Sequence, residues 1–225
     1  MKPSQALGFL AIYNVVQNTL LSRRGYVTGN LIASGIGLVW ARRSGLSSES
    51  IGLSGKNLSR GLGLGAGAAV AAAGLAALVG DHEVVRKMLD DRRFTDLSDR
   101  QLWFRLLVRF PLGTALFEEF WFRGIVPAAL ETHGSSNPDL AAAAAFTAWH
   151  LIPTASAVDA NESIRLLTLE RKALLVAGGS LAAGAGGLVF SAMRRGSGSV
   201  AAPWLAHAAV NSLGFWVAVR SRRSR

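Results

Sequence analysis

The sequence predicts an all-α, polytopic transmembrane helix bundle of about seven spans with short interfacial helices. Three observations lead to this fold class. Half of the 225 residues are hydrophobic, and the mean hydropathy is +0.31. The apolar residues gather in blocks, several of them long enough for the roughly 20 residues that a spanning helix needs. Arginines, the main source of the net charge of +10, stand at the ends of these blocks, where loops meet anionic headgroups.

The predicted spans follow the apolar blocks in order, and the second and fifth are short. They cover about 5–22, 26–41, 61–80, 102–131, 139–154, 172–192 and 199–219. Arg23 and Arg24 close the first span. No small-x-small cleavage site follows it, so we interpret it as a retained helix and not as a signal peptide. Its polar residues fall near one helical stripe that is predicted to face the bundle: Gln5, Asn14, Gln17 and Asn18.

Polar joints separate the spans. Residues 44–63 form a polar, Gly/Ser-rich linker. In the charged segment 81–101, Val84, Val85, Met88 and Leu89 recur at helical spacing, which indicates an interfacial amphipathic helix. Together with the 155–172 insert and the basic tail 220–225, this segment is predicted to lie on the cytoplasmic side. The whole chain, 1–225, is interpreted as one integral-membrane domain.

Composition excludes several kinds of site. The chain has no cysteine, so a disulfide framework, a thiol nucleophile and a thiolate metal site are all excluded. Glycines crowd the third and sixth spans, but no Lys-Ser/Thr follows them, which favours close helix packing over phosphate binding. Because the basic residues flank apolar blocks, the expected partners are membrane lipids and not nucleic acid.

Charged residues interrupt the fourth span. Each charge at the bilayer centre costs about 2.5–3.5 kcal/mol on insertion scales, so Glu118, Glu119 and Arg123 need a compensating reason. The i, i+4 spacing allows Glu119 and Arg123 to pair on one helix face. Glu118 has no local partner, which predicts a metal, a water or a charged group from another helix beside it. Arg105 and Arg109, on the same span, are expected to extend to the interface instead of contacting a substrate carboxylate.

Two further spans carry histidine. His150 ends the fifth, and His207 precedes Asn211 by one turn in the seventh. Each alone is typical of a buried polar group that joins helices. Together with Glu118 they form a set that could polarise a water or hold a divalent metal such as zinc, with Glu118, His150 and His207 as ligands if a metal is bound. Glu118 could act as general base, and the Asn211 amide could support an oxyanion.

The order of these motifs resembles that of the CPBP family, the CAAX proteases and bacteriocin-processing enzymes. The motifs are Glu-Glu-x-x-x-Arg, Phe-x-x-x-His and His-x-x-x-Asn, and the resemblance covers about 100–219. Their residues are Glu118, Glu119, Arg123, Phe146, His150, His207 and Asn211. The resemblance implies that Glu118 and His150 activate water, that His207 and Asn211 support the oxyanion or a metal, and that Glu119, Arg123 and Phe146 support the motif.

The resemblance therefore implies an intramembrane endopeptidase, metal-dependent or glutamate-dependent. Its expected substrate is a membrane-associated peptide or lipidated protein, of which proteins that end in a CAAX sequence are one class. Its expected location is a bacterial-type plasma membrane. Two alternatives stay open at this point. A non-catalytic scaffold or immunity protein could keep the same fold, and an ion or proton transporter could use the same Glu/His set. The second is disfavoured because the sequence has no repeated halves.

Overall fold

A computed structural model describes residues 1–22 and 25–223. Arg23, Arg24 and the last two residues of the predicted basic tail, 224–225, lie outside this described part. The described residues form no strand; Asp91 and Asn161 make one isolated β-bridge. The predicted all-α class is confirmed.

Helices lie at every predicted span and at the predicted interfacial segment. They are α1 (Pro3–Thr19), α2 (Gly25–Arg43), α3 (Leu58–Val79), α4 (Glu83–Met88), α5 (99–132), α6 (Pro138–Trp149), α7 (Leu151–Ala160), α8 (Leu169–Ser197) and α9 (Ala201–Arg223). Short 3₁₀ turns cover Gly55–Asn57, Arg92–Phe94 and Glu162–Ile164. The predicted fifth span is thus two helices, α6 and α7, which meet at His150.

Three helical segments among the described residues are long and apolar enough to cross a membrane, judged by length and composition. They are Gly55–Val79, Pro138–Ala160 and Leu169–Ser197. Few of their residues are buried within the protein: 6%, 28% and 17% of the most apolar window, respectively. Apolar helices with so much exposed surface need a hydrocarbon surrounding. The other predicted spans are shorter or more polar, as α1 is with 17 residues.

Helix α5 changes its hydrogen-bond pattern along its length. Two stretches, Arg105–Ala115 and Phe120–Ile125, have π-helical i→i+5 bonding, as in the bond from the Leu116 N–H to the Pro111 carbonyl. Between them lies a short α-helical segment, Leu116–Glu119. A π-helical stretch has about 4.4 residues per turn, more than the α-helix, so it rotates the side chains that follow it to a different face.

The core surrounds the second half of α5. Phe117, Trp121 and Ile125 are each 0% exposed and pack against α1, α2 and α6. Glycines elsewhere let helices approach closely. A Cβ on Gly65 of α3 would lie 2.8 Å from the Ala202 carbonyl oxygen of α9. This contact supports packing, and not phosphate binding, as the role of the α3 glycines.

The polar joints meet on one face of the bundle. Arg222, near the end of α9, pairs with Asp90 at 2.9 Å, and Ser163 of the 155–172 insert donates to the same aspartate at 2.7 Å. The segment after α3, the insert and the described end of α9 therefore lie together. Val84 and Met88 of α4 are 57% and 72% exposed beside this face, as expected for an interfacial helix.

The polar stripe of α1 divides between two environments. Asn14 and Gln17 are buried, and the Asn14 amide donates to the Trp149 carbonyl at 3.1 Å. Gln5 and Asn18 are exposed. The expectation that Gln5 faces the bundle is wrong because its side chain instead accepts the Lys2 N–H and caps the helix.

Candidate active site

The two adjacent glutamates lie in the short α-helical segment of α5 and are both buried. Glu118 is 4% exposed and Glu119 is 0% exposed. Because they are neighbours on a helix, their side chains point about 100° apart and meet different partners.

Glu119 makes two charged contacts. Its Oε2 lies 3.2 Å from Arg123 Nε, and its Oε1 lies 2.7 Å from His207 Nδ1. The i, i+4 pair expected from the sequence is therefore present, and it reaches a second helix, α9. Since the carboxylate is paired with Arg123 and accepts, Nδ1 of His207 is the donor.

Arg123 is held between aromatic rings and a glycine. Its Cζ lies 4.0 Å from the centre of the Phe146 ring and 5.6 Å from that of Phe190. A Cβ on Gly187 of α8 would come within 2.7 Å of the guanidinium. Phe146 thus contacts Arg123 as part of the support of the motif.

Glu118 has an oriented carboxylate with one oxygen left over. The Trp149 indole N–H donates to Oε1 at 3.0 Å. Oε2 lies 3.8 Å from His207 Nε2 and accepts no hydrogen bond from the described residues. The carboxylate is fixed at one oxygen and can accept a proton or a donor at the other.

His150 stands at the junction of α6 and α7, where its ring is fixed by its own helix. Its Nδ1 lies 2.9 Å from the Phe146 carbonyl oxygen, and the centres of the His150 and Phe146 rings are 4.3 Å apart. Because a carbonyl only accepts, Nδ1 carries the proton and Nε2 of the neutral ring is an acceptor.

Glu118 and His150 line one cavity of about 400 Å³. The exposed residues Arg93 and Ser156 mark its mouth at the polar face of the bundle. The other lining residues are Gln17, Asn18, Tyr26, Phe94, Arg105, Arg109, Phe110, Thr114 and Pro153. Helices α1, α2, α5 and α7 all contribute, so the cavity connects the buried carboxylate with the surface of the protein.

His207 and Asn211 do not line this cavity. His207 is 6% exposed behind Glu118, with its ring stacked 5.2 Å from that of Phe190. Asn211 lies one turn further along α9 and is partly exposed. The structure therefore joins Glu118, Glu119, Arg123, Phe146 and His207 in one contact network, whereas Asn211 lies at its edge.

The three residues predicted as metal ligands, Glu118, His150 and His207, do not form a recognisable metal-binding cluster. No group of three His, Asp or Glu side chains in the described part of the chain is placed to hold an ion. The contacts engage one atom of each residue: His150 Nδ1 with a backbone carbonyl, His207 Nδ1 with Glu119, and Glu118 Oε1 with Trp149. A metal would have to bind the other atoms, Nε2 of the two histidines and Oε2 of Glu118.

Sequence reasoning missed two features of the site. Trp149 stands inside the Phe-x-x-x-His motif but gave no polar signal, because an indole N–H in an apolar block looks like core packing. The sequence also did not indicate that Arg105 and Arg109 line the cavity. A count of about 4.4 residues per turn along α5, instead of 3.6, would have placed them there.

The arrangement suits hydrolysis. Glu118, whose carboxylate is fixed at one oxygen, and His150, whose Nε2 is an acceptor, both line the same cavity, and both side chains can take a proton from water. The surrounding core limits the entry of bulk solvent, which strengthens every electrostatic contact in the site.

Comparison with known families gives one match. The family described as Type II CAAX prenyl endopeptidase Rce1-like matches residues 100–213, just over half of the 225 residues. No curated protein and no solved structure matches in the corresponding comparisons. The matched range contains all three motifs, which confirms the resemblance to the CPBP proteases. The chain is an integral membrane protein that belongs to the Rce1-like type II CAAX prenyl endopeptidase family, a family of proteases.

Proposed function

We propose that this protein is an intramembrane endopeptidase that hydrolyses an amide bond of a membrane-associated peptide or lipidated protein, in a bacterial-type plasma membrane. One observation carries the proposal: Glu118 and His150 line the same cavity of about 400 Å³, which reaches the polar face of the bundle. Membership of a CAAX endopeptidase family supports a substrate that is cleaved near its C-terminus.

Glu118 is the proposed general base. A water between Glu118 and Nε2 of His150 gives one proton to the carboxylate as its oxygen attacks the substrate carbonyl. The same proton then passes to the leaving amine. His150 orients the water by accepting its second O–H, which requires the tautomer with the proton on Nδ1.

The remaining motif residues are proposed to hold and complete this site. Glu119 and Arg123 fix the position of Glu118 on α5 and fix the His207 ring through its Nδ1. His207, whose Nε2 lies 3.8 Å from Glu118 Oε2, and Asn211, one turn further along α9, are proposed to support the oxyanion of a bound substrate, although neither lines the cavity of the free protein. The proposed water activation uses protein groups alone, because the candidate ligands do not form a metal site.

Peptide cleavage by the purified protein tests this function. We expect the protein, reconstituted in nanodiscs, to cleave an internally quenched farnesylated peptide that ends in a CAAX sequence, with one new C-terminus detected by mass spectrometry. We also expect the rate to survive incubation with a metal chelator. Binding without cleavage would support the scaffold alternative, and proton or metal flux into liposomes without cleavage would support the transporter alternative.

Replacing Trp149 by phenylalanine is expected to lower kcat about 10- to 100-fold with little change in KM. The ring still packs against Phe117 and Phe122, 5.4 and 5.5 Å away, but Glu118 loses its N–H donor. Hydrogen bonds to charged groups contribute about 1.5–3 kcal/mol, which sets this range. Steady-state kinetics measures it, with Trp103→Phe at a residue 52% exposed as the matched control. Equal kcat values for the two variants would show that the Trp149 N–H does not contribute to catalysis.

A further inference from the structure

The backbone carbonyl of Trp149 lacks its usual donor at the junction of α6 and α7. In a continuous α-helix, each carbonyl accepts the N–H of the fourth residue along the chain. Here that residue is Pro153, which has no N–H. The next N–H, that of Thr154, donates to the His150 carbonyl at 2.9 Å. Since Trp149 is 3% exposed, its carbonyl needs a donor from elsewhere in the protein.

Asn14 of α1 supplies that donor. Its Nδ2 lies 3.1 Å from the Trp149 carbonyl oxygen, and the residue is 7% exposed. The Asn18 side chain fixes the direction of this amide, because its Nδ2 donates to Asn14 Oδ1 at 2.7 Å and to the Asn14 carbonyl at 2.8 Å. With Oδ1 accepting, Nδ2 is the atom that faces Trp149. Helix α1 therefore holds a fixed donor at the break between α6 and α7.

Trp149 connects this contact to the proposed water-activating groups. Its indole N–H donates to Glu118 Oε1 at 3.0 Å, and the next residue is His150. Glu118 and His150 both line the cavity. A shift of the Trp149 backbone would move the indole donor and the His150 ring together, relative to α5. A misplacement of about 1 Å in an active site can cost about 10²-fold in rate.

We propose that Asn14 is a positioning residue for the hydrolysis, which holds the Trp149 carbonyl and so sets the separation of Glu118 and His150. This inference rests on the proposed function. Helix α1 lies outside residues 100–213, the range that the family matches. The inference therefore assigns a part in the reaction to a helix that carries none of the three motifs.

Asn14→Leu removes the donor at nearly constant side-chain size. We expect kcat to fall about 10- to 100-fold with a change in KM of less than about twofold, because the substrate still binds the same cavity. Steady-state cleavage of the farnesylated peptide in nanodiscs measures both. The matched control is Asn161→Leu, at a residue 6% exposed that donates to the Lys87 and Met88 carbonyls at 2.9 and 3.0 Å. It should lower the melting temperature to a similar extent and keep the parent kcat.

A second substitution separates positioning from a general loss of stability. Pro153→Ala returns an N–H at the position that donates to the Trp149 carbonyl in a continuous helix. Asn14→Leu should therefore lower kcat at least about fivefold less in the Pro153→Ala protein than in the parent, as expected for two residues that share one acceptor. Asn161→Leu should have the same effect on kcat in both proteins.

Indole resonances report the same contact without any cleavage. In ¹⁵N-labelled protein, the signal of the Trp149 indole N–H is assigned by its loss in Trp149→Phe. It should move upfield in Asn14→Leu as its hydrogen bond lengthens, and it should move back when Pro153→Ala is added. The indole N–H of Trp204, which donates to the Pro111 carbonyl at 2.8 Å, should not move.

Two results would overturn the positioning role. One is a parent kcat together with a parent indole signal in Asn14→Leu and in Asn14→Ala, the second of which keeps the test valid if the leucine variant does not fold. The other is a loss of kcat that Pro153→Ala does not reduce. An indole shift that Pro153→Ala reverses, in a parent protein that cleaves no peptide, would keep the role of Asn14 in placing Trp149 and would remove the protease function.

Discussion

Glu118→Gln is expected to reduce cleavage of the farnesylated peptide by about 10³-fold or more, within the range that general acid–base groups contribute. Glutamine has the same shape, and its amide oxygen can still accept the Trp149 N–H, so the surrounding core is preserved. It cannot take a proton from water at neutral pH. The measurement is the single-turnover rate in nanodiscs, together with the melting temperature.

The control is Glu170→Gln, which changes the same functional group at an exposed position at the start of α8. This variant should keep the parent rate. If Glu118→Gln also keeps it while its melting temperature is unchanged, Glu118 is not the base, and the proposed chemistry is wrong.

Arg123→Leu is expected to destabilise the protein by about 3–5 kcal/mol, the usual cost of leaving a buried charge without its partner. Glu119 is 0% exposed, and its Oε2 faces Arg123 Nε at 3.2 Å. The variant also loses the contact with the Phe146 ring. Thermal unfolding in detergent measures the change, and activity should fall with the folded fraction.

A double variant separates charge from packing. Adding Glu119→Gln to Arg123→Leu removes the unpaired charge and should restore part of the melting temperature, because the penalty arises from the uncompensated carboxylate. Arg165→Leu, at an arginine that is 62% exposed in its pair with Glu162, should cost less than about 1 kcal/mol. Equal destabilisation by Arg123→Leu and Arg165→Leu would show that the buried Glu119–Arg123 pair does not stabilise the protein.

The sequence alone predicts those features that follow from the geometry of a single helix. The i, i+4 spacing of Glu119 and Arg123 predicts their contact, and the cost of charge in an apolar block marks Glu118 as a residue that needs a partner. Helix positions follow from the apolar blocks and their arginine ends. All of this can be read from one chain because it depends on neighbours within one helix.

Contacts between helices and the register of α5 cannot be predicted from the sequence in this way. Trp149 binds Glu118 from another helix, and neither spacing nor hydropathy indicates that pairing. The place of Arg105 and Arg109 on the cavity wall depends on the π-helical register of Arg105–Ala115, which the sequence does not indicate. Pro111, which lacks an N–H, was the one local sign that this part of α5 departs from regular α-helix.

The apolar pattern also did not predict the break between α6 and α7 at His150. Residues 139–154 read as one continuous span, yet α6 ends at Trp149 and α7 begins at Leu151. The junction sets His150 beside the cavity and leaves its Nδ1 bound to the Phe146 carbonyl. A pattern of apolar residues reports burial, and it carries no information on where two helices join within one block.

The central claim is that Glu118 makes a water molecule attack the substrate directly. A single turnover in H₂¹⁸O tests it, followed by mass spectrometry of both the new product C-terminus and the enzyme peptide that contains Glu118. We expect one ¹⁸O atom in the product carboxylate and none in Glu118. Label in Glu118 with an unlabelled product would mean that the carboxylate attacks the substrate itself, and would contradict this account.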